Sequence, residues 1–123
     1  MHIRPETVRD HPAVARINLH AFSGMGEPTL VALLRQRQDY DPDLSLVADV
    51  DGELVGHALF TPYTIRLGGE DVRAVCLAPI GVDPAQQKQG IGAALMEEGH
   101  RIAAAKGYRL SFLLGHPTYY PRF

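Results

Sequence analysis

Six consecutive residues, Gln87-Lys88-Gln89-Gly90-Ile91-Gly92, carry the clearest chemistry in this sequence. An apolar run ending in Ile80-Gly81-Val82 passes through Asp83-Pro84 into this segment, and an Ala/Leu-rich helix starts there. The first N–H groups of a helix have no intrahelical partner, and the helix dipole adds positive potential at the same point. A strand, a turn and a glycine-rich helix start therefore aim several donors at one anion, and phosphate suits such a site. Gly90 and Gly92 allow close approach, since neither carries a Cβ. Rival loops fit worse. A P-loop requires Gly-x-x-x-x-Gly-Lys followed by Ser or Thr, and the chain has no such run. A dinucleotide fingerprint wants Gly or Ala where Leu95 stands, and an acidic residue about 20 positions on, where Ser111 and Phe112 stand.

The remaining reactive side chains form no equally clear pattern. His2, His11, His20, His57, His100 and His116 make no His-x-x-x-His pair and no Cys/His cluster, so no metal is expected. His100 reads as a solvated helix residue. Cys76 is the single cysteine, which excludes an internal disulfide framework and fits a reducing compartment, with the cytoplasm as the default. No His or Asp partner is spaced to make Cys76 an acyl carrier, and a buried structural thiol is expected. His57, Glu27 and His116 are general-base candidates by chemistry alone. A net charge of -2 gives no electrostatic argument for nucleic acid or an anionic membrane. Neither a transmembrane run nor a secretion signal is recognisable. With 46% hydrophobic and 21% charged residues, the composition is that of an ordinary globular domain.

Strand and helix signals place the loop within one α+β domain. His2-Ile3-Arg4-Pro5 suits an edge strand. Thr7-Val8-Arg9-Asp10 reads as a capping turn before a helix opened by Pro12, with Val14, Ile17 and Ala21 on one face. Ser23-Gly24-Met25-Gly26 breaks that helix. Glu27 and Pro28 open a second one, whose apolar stripe is expected to be Leu30, Leu33 and Leu34. Leu44–Val50 and Leu54–Leu67 read as strands joined by the Asp51-Gly52 hairpin, with a bulge or bend expected at Pro62. Gly68-Gly69 turns the chain into a strand over Val72–Val82. Pro79 lies inside that strand and lacks an N–H, so the ladder must be interrupted there. The third helix runs from about Gly90 to Lys106, stopped by Gly107. Ile91, Leu95, Gly99 and Ile102 share its face, and Gly99 allows close approach to the sheet. Tyr108–Leu114 is the fifth strand, and the strand–helix–strand crossover makes it a parallel neighbour.

The spacing Gln-x-x-Gly-x-Gly, with Val82-x-Pro84 upstream, resembles the acyl-CoA pyrophosphate loop of the GNAT superfamily of N-acetyltransferases. The order of elements is similar to that fold over nearly the whole chain. Tyr119-Tyr120-Pro121-Arg122-Phe123 looks like a segment of a bacterial subgroup of predicted acetyltransferases. The resemblance implies a mostly antiparallel sheet flanked by helices, with one parallel strand pair around a CoA cleft. It implies acetyl-CoA as co-substrate, and an amine acceptor that is a small molecule or a protein amino group. The backbone of Ile80 and Val82 would pair with the pantetheine arm. Gln87, Lys88, Gln89, Gly90, Ile91 and Gly92 would wrap the pyrophosphate, and Tyr120 would protonate the leaving thiolate, with Tyr119 as backup. Relatives continue after this segment into two further strands. Residues 1–123 therefore read as one GNAT domain truncated at its C-terminal end, whose exposed sheet edge could pair with a second copy. A non-catalytic acyl-CoA-binding or regulatory module is the alternative.

Overall fold

A computed structural model describes residues 1–113. Along the chain run β1 (His2–Pro5), α1 (His11–Phe22), α2 (Gly26–Leu34), β2 (Ser45–Val50) and β3 (Glu53–Leu67). Then follow β4 (Glu70–Val82), α3 (Ile91–Ala105) and β5 (Leu110–Leu113). The strands form one sheet in sequence order. Each pair is antiparallel except β4 and β5, which run parallel from Ala74 opposite Leu110 to Leu77 opposite Leu113. This is the mixed, mostly antiparallel sheet that the sequence implies.

The sheet is the middle layer of three. On one face α3 buries Ile91, Leu95, Met96 and Ala103 against Leu46, Ala58, Phe60, Val75 and Leu77. On the other, Val14 and Ile17 of α1 and Val31 of α2 pack with Val47, Leu54 and Leu59. β2 and β3 thus feed both cores by alternation. At Gly99 a Cβ would overlap the Phe60 ring, so α3 seats on the sheet only because that position is glycine. The Asp51-Gly52 hairpin also forms as read, both residues adopting positive φ (53° and 87°).

Three details differ from the sequence reading. The buried positions of α2 are Pro28 and Val31, while Leu30 and Leu33 are exposed. Two stripes were available at helical spacing, and contact with α1 and the sheet selects the one through Val31. Pro62 is no bulge: it sits in register opposite Val75, beyond the last β2 partner at Leu59, where β3 has become an edge. The irregularity of this ladder lies three positions away, opposite Leu59, at Ala78-Pro79. Ala58 pairs with Ile80 and Phe60 with Leu77, so two β4 residues face Leu59 alone. Before this bulge Val75 and Leu77 point to the α3 core, and after it Ile80 and Val82 do. Finally, His100 is half-buried rather than solvated. Its Nε2 lies 2.8 Å from Ser111 Oγ and its ring meets Phe60 edge-on at 5.5 Å.

Candidate active site

The glycine-rich segment lies where β4 hands over to α3. Asp83 starts a single 3-10 turn by accepting from the Ala85 N–H (3.0 Å), and its own N–H donates to Val55 O (2.8 Å). The chain then reverses through Lys88 (φ 67°) and Gly90 (φ 79°), both left-handed. Gly90 caps α3, and its carbonyl takes the first helical bond, from Ala94 at 3.0 Å. Among the described residues, no acceptor pairs with the N–H groups from Gln87 to Ala93. Space is open as well. A Cβ at Gly90 would meet nothing within 4 Å, and one at Gly92 only methyl carbons of Ile80 and Val82 at 3.9 Å. An exposed loop with unclaimed donors at a helix start is an anion cradle.

The other sequence-designated residues fall around it. Ile80 and Val82 follow the bulge, half-buried, at the end of β4. β5 pairs with β4 only up to Leu77, so among the described residues the outer edge of Ala78–Val82 has no strand beside it. Gln87 does more than lend a backbone group, since its Nε2 donates to Val82 O at 3.3 Å and ties the loop to the strand. Lys88 and Gln89 are exposed, and Lys88 makes no ion pair among the described residues. Tyr120, Tyr119 and His116 lie outside the described residues. Two small cavities, of about 180 and 210 Å³, lie elsewhere, beside Ser111 and beside Tyr63.

Two of the general-base candidates, His57 and Glu27, lie among the described residues. His57 is fully buried, and burial pushes its imidazole down to about 4 despite the attraction of Glu6. It is neutral at pH 7 and buried away from solvent. Burial likewise raises the Cys76 thiol, which disfavours the thiolate an acyl carrier needs. Glu27 is partly buried in the first turn of α2.

Sequence reasoning missed what His57 does instead. Its Nε2 lies 3.0 Å from Ser45 Oγ and its Nδ1 lies 3.2 Å from Asn18 Nδ2. Ser45 Oγ donates to Glu6 Oε1 at 2.8 Å. Glu6, 7% exposed, also accepts from Arg35 Nε and Nη2 at 3.0 and 2.8 Å and from the Tyr40 hydroxyl at 3.0 Å. Burial alone would raise this carboxyl, but the hydrogen bonds from Arg35 and Ser45 lower it. The one available signal was a cluster of polar residues at positions that pattern as core.

Comparison with known proteins agrees with this geometry. A family model described as an acetyltransferase (GNAT) domain matches residues 2–123. The uncharacterised N-acetyltransferase YjhQ of Escherichia coli K12 is 36% identical over 92% of the chain, which spans 62% of that protein. A GNAT family acetyltransferase from Brucella melitensis, solved with acetyl-CoA, is 35% identical. It superposes with a TM-score of 0.84, covering 99% of this chain and 80% of that one. Escherichia coli YhbS, solved with CoA, is 33% identical with a TM-score of 0.85, covering 99% and 66%.

Proposed function

This chain belongs to the GNAT acetyltransferase domain family, and on that premise we propose that it transfers the acetyl group of acetyl-CoA to a primary amine. The observation that carries this reading is the run of N–H groups from Gln87 to Ala93 that have no acceptor among the described residues, at the head of α3 and beside the outer edge of β4. The two similar structures solved with acetyl-CoA and CoA support it.

In this reading Gln87, Lys88, Gln89, Gly90, Ile91 and Gly92 hold the pyrophosphate through backbone donors, and Lys88 adds its charge. The backbone of Ile80 and Val82 pairs with the pantetheine arm along the edge that β5 leaves free. The Gln87 side chain, bonded to Val82 O, keeps those two contacts in fixed relation. The thioester then lies near the bulge. A neutral amine attacks its carbonyl carbon, the oxygen becomes an oxyanion, and collapse expels the CoA thiolate. Alignment of the reactants in one ternary complex supplies much of the rate, and backbone donors stabilise the oxyanion. Tyr120 gives its phenolic proton to the thiolate, the proton shed by the amine nitrogen as the amide forms passes to water, and solvent restores the phenol. A phenol stays protonated at neutral pH and is a fit donor.

Calorimetry of CoA binding tests the cradle. Gly90→Val and Gly92→Val both weaken CoA sharply, and unchanged affinity in both sinks the assignment. Thiol release from acetyl-CoA with a panel of amines tests the transfer, since a non-catalytic binding module releases none. Tyr120→Phe lowers kcat and spares acetyl-CoA binding, because only help to the transition state is lost.

A further inference from the structure

The buried polar residues between the sheet and α1 form a chain with a direction. Glu6, held by two donors of Arg35, is an anion that can only accept. The single Ser45 hydroxyl proton therefore goes to Glu6, and Ser45 Oγ must accept from His57 Nε2–H. A neutral imidazole with its proton on Nε2 has a bare Nδ1, which takes one N–H of Asn18. The other N–H of that amide goes to Val14 O at 3.1 Å. Asn18 Oδ1 is left over. It is fully buried and has no partner among the described residues.

That oxygen rests on β4. A Cβ built on Gly81 would stand 3.1 Å from Asn18 Oδ1 and 3.3 Å from both Ala21 and Phe22, closer than ordinary contact, so a side chain there would press α1 away from the strand. Gly81 is also the register partner of His57, and it lies between Ile80 and Val82. The chain thus holds this point of β4 from two directions, through the neighbouring strand and through the helix above. Among the described residues, the outer edge of Ile80 and Val82 has no strand beside it.

We propose that Glu6, Ser45, His57 and Asn18 form a one-way hydrogen-bond chain that positions the pantetheine-pairing stretch of β4, with Asn18 as the positioning residue at its end. The role rests on the acyl-CoA reading above, whereas the direction of the chain does not. The carboxylate of Glu6, three side chains away, decides which end of the Asn18 amide faces the strand. None of the four touches substrate; they fix the strand that does.

Two measurements test this. Long-range proton–nitrogen NMR of the His57 ring needs no variant: it is expected to show a protonated Nε2 and a bare Nδ1. A protonated Nδ1 overturns the chain's direction. Asn18→Leu keeps the γ-branched shape and removes both the donor to His57 and the oxygen on Gly81. Acetyl-CoA affinity is expected to fall roughly fivefold to tenfold, while affinity for ADP, which has the pyrophosphate but no pantetheine arm, stays unchanged. Equal losses for both ligands, or no loss for either, overturn the positioning role. A parent protein that binds neither ligand refutes the acyl-CoA reading and the positioning role with it, and the His57 spectrum still decides the chain's direction.

Discussion

Gly99 and Gly90 show how one missing side chain does two different jobs. At Gly99 the reason is contact: a Cβ would overlap the Phe60 ring in the α3 core. Gly99→Ala is expected to cost about 2 kcal/mol by overpacking, measured by chemical denaturation. Because the clash is with one ring, adding Phe60→Leu should cost less than the two separate losses combined. At Gly90 the reason is the left-handed φ of 79°, with open space where a Cβ would go, so a substitution there acts on the loop and its ligand rather than on the core. Both glycines were legible from spacing, because helix periodicity and helix ends are local. The Glu6–His57 chain was not. Ser45 reaches Glu6 across 39 positions, and His57 reaches Asn18 across another 39, so only the assembled sheet brings them together. A buried imidazole also sets a pH dependence. His57 titrates at about 4 in the fold against an ordinary 6.5, so the unfolded chain binds the extra proton first. This contribution to stability is complete above pH 6.5 and is lost as pH falls towards 4, on the order of 3 kcal/mol in all. Glu6, whose carboxyl is lowered, adds loss of the same sign at lower pH. Urea melts through this window check the slope, and stability that stays flat down to pH 5 would contradict it.

Among the elements, the hairpins, the helix stops and the buried faces of α1 and α3 were readable, and the face of α2 was not. Asp51-Gly52 and Gly68-Gly69 both turn with positive φ, and Gly107 ends α3, because glycine at a turn reflects the backbone alone. Leu30, Leu33 and Leu34 offered one helical stripe and Pro28, Val31 and Leu34 another, and only the neighbouring α1 decided between them. The difference is measurable. Val31→Ala is expected to destabilise by about 2 kcal/mol, whereas Leu33→Lys, at an exposed position, stays within about 0.5 kcal/mol. The two prolines of the central hairpin make the same point. Each lacks an N–H, but at Pro62 the neighbouring strand has already ended and nothing is disturbed, while at Pro79 the ladder opens. Composition marks where a strand can break, and the partners present on each side decide whether it does.

For the whole molecule, a three-layer core closed around a sheet whose β3–β4 ladder is broken once predicts that ligand binding and folding are linked. Acetyl-CoA at about 100 times its Kd should add about 2.7 kcal/mol to stability, read as an upward shift in Tm. The break itself has an arithmetic worth drawing out. Side chains alternate along a strand, so an odd insertion flips the parity of everything beyond it. Here three β4 steps from Leu77 to Ile80 span two β3 steps from Phe60 to Ala58. The extra residue is what lets odd-numbered Leu77 and even-numbered Ile80 fill the same core. Deleting Pro79 would remove that residue and restore an even count, leaving each half of β4 in phase with its own core. The shortened chain is therefore expected to keep its fold, with a continuous ladder where the strand now opens. Acetyl-CoA should then no longer raise its Tm, so a single codon would separate the architecture of this sheet from its use.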